Sequence, residues 1–151
     1  MIDSNTVINI SFTAFIAIMA GFYYFGIIKS LKDKFFAFLA LLVSCILLFS
    51  KETYLLDIAH ALYCGVYLVL VAFISNNKYL LGLNSLMLFN IIVSRLYYEG
   101  CVLNTKQSNE GYFTELNTSI MRNFNFTWTH IDIVLLVISL IRLFLVLKKE
   151  D

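Results

Sequence analysis

The sequence predicts an all-α polytopic membrane protein, a bundle of five transmembrane helices, on three observations. Hydrophobic residues make up 60% of the 151 positions and charged residues only 14%, whereas a soluble domain is about one quarter charged. The apolar residues are collected in five segments, and only short polar breaks separate the first four. Proline is absent and glycine occurs six times, so we expect continuous helices. A single domain over residues 1–151 is expected.

The length of each segment decides whether it spans, because a helix needs roughly 17–25 apolar residues to cross the hydrocarbon core. The five segments cover approximately residues 7–28, 35–50, 54–75, 79–98 and 131–147. The first, third and fourth are long enough, whereas the second and fifth are short. Four spanning helices is therefore the alternative. The tight turns between the first four segments predict that neighbours along the chain form antiparallel hairpins.

Orientation is predicted from the basic residues, which collect on the cytoplasmic side of membrane proteins. An outside N-terminus and a cytoplasmic C-terminus place six lysines inside: Lys29, Lys32, Lys34, Lys78, Lys148 and Lys149. Three basic residues then remain in the outer loops: Lys51, Lys106 and Arg122. This asymmetry predicts an N-out, C-in multi-pass protein.

The polar stretch over residues 99–130 is expected on the outer side. Asn117 and Asn125 each begin an acceptor sequon for N-glycosylation. Ile120, Phe124 and Trp128 recur at helical spacing, which favours a short interfacial helix within this loop. The alternative is a loop whose apolar residues fold back onto the bundle.

Ionisable residues inside the spanning segments define the candidate site, because a charge at the bilayer centre costs about 2.5–3.5 kcal/mol. Asp57, Arg95 and Asp132 fall at one depth, about one helical turn below the outer surface. His60 and His130 belong to the same layer. Since the third and fourth helices are expected to be neighbours, the most specific prediction is an Asp57–Arg95 ion pair. The layer either fixes helix register or forms the floor of an outward-facing cavity for an ion, a proton or a small ligand.

Two further features concern helix contacts. Ala14, Ala17 and Gly21 keep part of the surface of the first segment small, which permits close helix packing. Arg142 lies on the inner half of the fifth segment, where we expect it to extend toward Lys148 and Lys149 as a positive anchor.

The sequence has no nucleophile motif, no metal-ligand spacing and no glycine-rich phosphate loop, so neither an enzyme activity nor a cofactor is predicted.

The leading hypothesis is a non-enzymatic structural or accessory component that packs with other membrane proteins or with its own copies. One alternative is a small channel or transporter with an outer-leaflet polar site at Asp57, His60, Arg95 and Asp132. The other is a haem-binding or redox membrane enzyme that uses His60 and His130. The lipid bilayer is an expected partner and nucleic acid is not, because the net charge is only +1.

Overall fold

The computed structural model describes residues 4–98 and 127–149, and these residues form helices joined by short turns. The helices are α1 (Ser4–Tyr24), α2 (Leu31–Phe49), α3 (Thr53–Ile74), α4 (Lys78–Tyr98) and α5 (Trp128–Lys148). The described residues contain no strand, and the predicted all-α bundle is confirmed. The sequons at Asn117 and Asn125 lie outside the described residues, as do Ile120 and Phe124 of the predicted interfacial helix.

Four of these helices, α1, α3, α4 and α5, are long and apolar enough to cross a membrane. The exception is α2, whose first turn carries Lys32, Asp33 and Lys34. The alternative of four spanning helices therefore fits the observed lengths and compositions. Helix α2 has 19 residues. At a rise of about 1.5 Å per residue, its length is nevertheless close to the thickness of the hydrocarbon core. It packs against both α1 and α3.

Helix α5 begins at Trp128, earlier than the predicted start near Ile131. Thr127 has an extended backbone and occupies the N-cap position. Its backbone N–H donates to His130 Nδ1 at 3.4 Å, and its Oγ1 lies 2.9 Å from the same nitrogen. This arrangement satisfies a backbone donor that a helix start leaves free. Trp128 therefore belongs to α5 and not to a separate interfacial helix.

The centre of α3 is a π-helical stretch. Regular α-helix over Thr53–Ala61 passes into a π-helix over Leu62–Tyr67 and returns to α-helix over Leu68–Ile74. The Tyr63 and Tyr67 rings stack within this stretch, with centroids 5.6 Å apart and planes at 20°. Phe12 and Phe15 of α1 make edge contacts with Tyr63 at 5.3 and 6.0 Å. These fully buried rings pack α1 against α3.

A buried asparagine joins three helices near the middle of the bundle. Asn84 on α4 donates from Nδ2 to the Leu68 carbonyl of α3 at 3.3 Å and to Ser139 Oγ of α5 at 2.9 Å. All three residues are fully buried. Since hydrocarbon supplies no competing hydrogen bonds, these contacts specify the rotation of α4 relative to both neighbours.

The side chain of Arg142 contacts the turn between α3 and α4. One guanidinium nitrogen donates to the Ser75 carbonyl and to Asn76 Oδ1, both at 2.7 Å. The predicted extension of Arg142 toward the end of α5 that carries Lys148 and Lys149 is compatible with these contacts, which lie at the same end of the bundle. Carbonyl groups at a helix C-terminus carry partial negative charge and attract a guanidinium.

One end of the bundle carries the starts of α2 and α4 together with the ends of α1, α3 and α5. Two observations show this: the contacts of Arg142 with the α3–α4 turn, and the hydrogen bond from Lys32 Nζ to the Ile74 carbonyl. We call this the lysine-rich end, and its lysines are Lys29, Lys32, Lys34, Lys78, Lys148 and Lys149.

Replacing Asn84 by alanine should lower the free energy of unfolding by about 1 kcal/mol, since interhelical hydrogen bonds in membranes average about 0.6 kcal/mol and this side chain makes two. Reversible unfolding in mixed micelles measures the change. Ser85→Ala is the matched control, because Ser85 Oγ donates within its own helix to the Leu81 carbonyl. Equal losses for the two variants would contradict a bridging role for Asn84.

Candidate functional site

Arg95 and Asp132 form a buried ion pair between α4 and α5, near the end of the bundle opposite the lysine-rich end. Arg95 Nε lies 2.8 Å from Asp132 Oδ2, and the two side chains are only 10% and 6% exposed. Arg95 comes about one turn before the end of α4 and Asp132 about one turn after the start of α5. Because α4 and α5 pack closely and run in opposite directions, the two charges meet at the same depth.

Helix α3 brings two more ionisable side chains into this layer. Asp57 is 2% and His60 is 8% exposed, and their spacing of three residues places them on one face of the helix. His60 lies near the Asp132 carboxylate. In the structure Arg95 forms an ion pair with Asp132. The predicted contact between Asp57 and Arg95 stays a prediction. We call Asp57, His60, Arg95 and Asp132 the charged layer.

His130 occupies a different environment from His60. It lies exposed at the start of α5, and its Nδ1 contacts Thr127 at the helix N-terminus. The structure therefore buries His60 and leaves His130 at the rim of the bundle. Within residues 4–98 and 127–149, no three His, Cys, Asp or Glu side chains are grouped so that they could hold a metal ion. The haem hypothesis stays a prediction.

Tyr63 is the residue of this region that sequence reasoning missed. An α-helical period places Cys64, rather than Tyr63, in line with Asp57 and His60. In the structure Cys64 is half-buried, whereas Tyr63 is fully buried. The Tyr63 hydroxyl has no hydrogen-bond partner in the part of the chain that the structure describes. No sequence signal marks the π-helical stretch that carries it.

A small cavity with mostly apolar walls lies beside Tyr63, between α1, α3 and α4. Its volume is about 40 Å³, and Ser11, Asn90 and Ser94 are among the residues that line it. Asn90 Nδ2 donates to Ser11 Oγ at 2.9 Å, which ties α4 to α1. A water molecule takes up about 30 Å³ of liquid, so the cavity has room for about one.

No protein-family model, curated protein or solved structure matches the chain. The four long apolar helices fit a small integral membrane protein. Any finer assignment of function therefore rests on the geometry of the described residues.

Arg95→Leu should lower the free energy of unfolding by about 3–5 kcal/mol, because it leaves the Asp132 carboxylate buried without its cation. Adding Asp132→Leu should recover part of that loss, with a coupling energy of about 1–3 kcal/mol. Reversible unfolding of the four chains in mixed micelles measures the coupling.

A second cycle, which combines Arg95→Leu with Asp57→Leu, tests the sequence-predicted pair in the same way. Coupling in this second cycle would bear out a contact between Asp57 and Arg95, and additive effects would contradict it. Purely additive effects in the Asp132 cycle would show that the observed ion pair contributes nothing to stability.

Proposed function

We propose that the protein is a non-enzymatic structural or accessory membrane component that packs against other membrane proteins through α1. The side of α1 that faces the bundle carries large buried residues, Ile8, Phe12, Phe15 and Met19. The observation that carries the proposal is the composition of the opposite side. On that side, small and polar residues face outward from the bundle.

We call this surface the α1 outer face, and its residues are Asn9, Thr13, Ala14, Ala17, Ala20 and Gly21. Gly21 is half-buried and the others are exposed. Asn9, Thr13, Ala17 and Gly21 follow one another at steps of four residues, so they form one line along the helix. Lines of small residues at this spacing let two membrane helices approach closely. Ile10 and Ile18, which are 64% and 38% exposed, are large residues beside this line.

The outward side of α5 has a different composition. Its exposed side chains are large and apolar: Ile133, Val134, Val137, Leu140, Ile141, Phe144 and Leu145. Such a surface suits lipid chains, which are as apolar as leucine. The contrast between two peripheral helices of one chain indicates that α1 and α5 have different neighbours in the membrane.

Asn9 and Gly21 support a protein neighbour for α1. Asn9 lies about 6 Å inside the span that begins at Asn5, where an amide that faces lipid lacks hydrogen-bond partners. A Cβ atom added at Gly21 would meet nothing within 4 Å, so packing within this chain does not require glycine there. The partner that fits is a transmembrane helix with small residues along its contact side and a hydrogen-bonding side chain at the depth of Asn9.

The proposed orientation is N-out and C-in. It is supported by the six lysines that collect at the lysine-rich end, because cytoplasmic loops carry an excess of basic residues.

A small proton or ion transporter is the second candidate, and the charged layer favours it. Ionisable residues within membrane spans commonly mark ion or proton pathways. The same four ionisable residues serve equally well as a structural lock, which is why this function ranks second.

Ala17→Leu combined with Gly21→Leu should weaken association with the partner protein by at least about tenfold, which corresponds to about 1.4 kcal/mol. The added side chains hold the two backbones apart, while the open space at Gly21 leaves the fold of the chain itself intact. Native mass spectrometry in mild detergent measures the mass and fraction of the complex. Val134→Leu with Val137→Leu on α5 is the matched control and should change nothing.

Two results would contradict this proposal. One is a chain that is monomeric in mild detergent and gives no crosslinks to other proteins in its membrane. The other is a complex made only of copies of this chain, which would support the α1 outer face as a contact but exclude an accessory role toward another protein.

Proteoliposomes with an internal pH-sensitive dye separate the two candidate functions. A non-enzymatic packing protein should give no proton flux above protein-free liposomes. A transporter that uses the charged layer should give proton flux. In the double variant Asp57→Asn with Asp132→Asn this flux should fall by at least about tenfold, which corresponds to about 1.4 kcal/mol in activation free energy. The exposed Glu52→Gln is the matched control. Flux that survives removal of both buried carboxylates would exclude the charged layer as the pathway.

A further inference from the structure

A cleft opens at the lysine-rich end, between the α1–α2 turn and the α3–α4 turn. Its volume is about 680 Å³, and residues 25–33 and 76–79 contribute its walls. It lies at the opposite end of the bundle from the charged layer and does not involve the α1 outer face. It is therefore independent of the function proposed above.

The two turns that form the cleft are held together by hydrogen bonds. Gly26 has a φ of +64°, and the left-handed backbone at this position ends α1 with a hydrogen bond from the Ile27 N–H to the Phe22 carbonyl at 2.9 Å. Asn77 Nδ2 then donates across to the Ile27 carbonyl at 3.3 Å. The cleft is consequently formed before any ligand enters, which lowers the entropic cost of binding.

A carboxylate in the wall of the cleft is already bonded. Asp33 is 7% exposed and accepts from the hydroxyls of Ser30 at 2.7 Å and of Ser75 at 3.3 Å. Because both of its oxygens are engaged, Asp33 closes the inner wall of the cleft and ties α2 to the α3–α4 turn.

The cleft carries more positive than negative charge. Lys29, Lys32 and Lys78 line it together with Asp33, so these four side chains leave a surplus of positive charge. Lys32 Nζ donates to the Ile74 carbonyl at 2.9 Å, which positions this ammonium group at the wall. A ligand that matches this cleft is an anion with several oxygen acceptors.

The position of the cleft decides the source of that anion. The cleft lies where the spans Asn5–Tyr24 and Thr53–Ile74 end and the span Lys78–Tyr98 begins, which is the level of the lipid headgroups. Phe25 and Tyr79 line it and are exposed, and aromatic residues are enriched at this level of membrane proteins. Basic pockets between transmembrane helices bind anionic lipid headgroups.

We propose that this cleft binds the phosphate headgroup of an anionic phospholipid. Lys29 and Lys78 supply the cationic donors, Lys32 and Asp33 shape the wall, and Phe25 and Tyr79 contact the glycerol and upper acyl region. The occupant is a lipid of the leaflet that surrounds the lysine-rich end.

Lipid retention in native mass spectrometry tests this site. The full chain is reconstituted in vesicles of phosphatidylcholine alone or of phosphatidylcholine with phosphatidylglycerol, and then extracted in mild detergent. Lys29→Gln with Lys78→Gln should reduce phosphatidylglycerol retention by about tenfold, or 1.4 kcal/mol. Lys148→Gln with Lys149→Gln removes the same number of charges from the same end and should leave retention unchanged.

A charge-conserving variant, Lys29→Arg with Lys78→Arg, should retain phosphatidylglycerol and distinguishes lost binding from lost folding. Equal losses in the cleft variant and the Lys148 and Lys149 variant would overturn the proposal, because they would show general attraction to the lysine-rich end. Loss of retention in the arginine variant as well would overturn an electrostatic site. Displacement of bound phosphatidylglycerol by inorganic phosphate alone would overturn the assignment to a lipid.

Discussion

The hydrocarbon interior of a membrane supplies no hydrogen bonds, and this constraint determines where the polar side chains of the bundle lie. A polar group within a span is stabilised by a partner from the protein, although several buried polar atoms of the described residues, the Tyr63 hydroxyl among them, have none. Asn84 finds two partners on neighbouring helices, and Arg95 finds Asp132. Such contacts contribute modest free energy one at a time. Their larger effect is to specify how the helices are rotated, since a rotated helix would leave its polar group unpaired.

These polar contacts are distributed unevenly among the helices. Polar contacts bind α3, α4 and α5 to one another at three depths. They are the Arg95–Asp132 pair, the contacts of Asn84, and the contacts of Arg142 with the α3–α4 turn. Helix α1 depends more on aromatic packing against the π-helical stretch of α3 and on the Asn90–Ser11 hydrogen bond. Its opposite side keeps Asn9 and Thr13 outward. The same constraint that explains the core underlies the proposal of a protein neighbour beside α1.

Much of the architecture could be predicted from the sequence, because hydropathy reports where a chain crosses lipid. The segments, the neighbouring α3 and α4, and the common depth of Asp57, Arg95 and Asp132 all follow from counting residues. Counting gives depth but not direction around the helix axis, so it did not identify Asp132 as an ion-pair partner of Arg95. It also missed the Arg142 contact with Asn76, which depends on the path of a turn. The π-helical stretch that buries Tyr63 has no periodicity to detect.

The central claim is that α1 and α5 have different neighbours, and labelling by a photoactivatable phospholipid in the native membrane tests it without any substitution. Peptide mass spectrometry locates the lipid adducts on the unmodified chain. We expect abundant adducts on α5 between Ile133 and Leu145 and few on the α1 outer face between Asn9 and Gly21, because the proposed partner helix would cover this face. Labelling of the α1 outer face as dense as that of α5 would contradict the claim and show that lipid surrounds both helices.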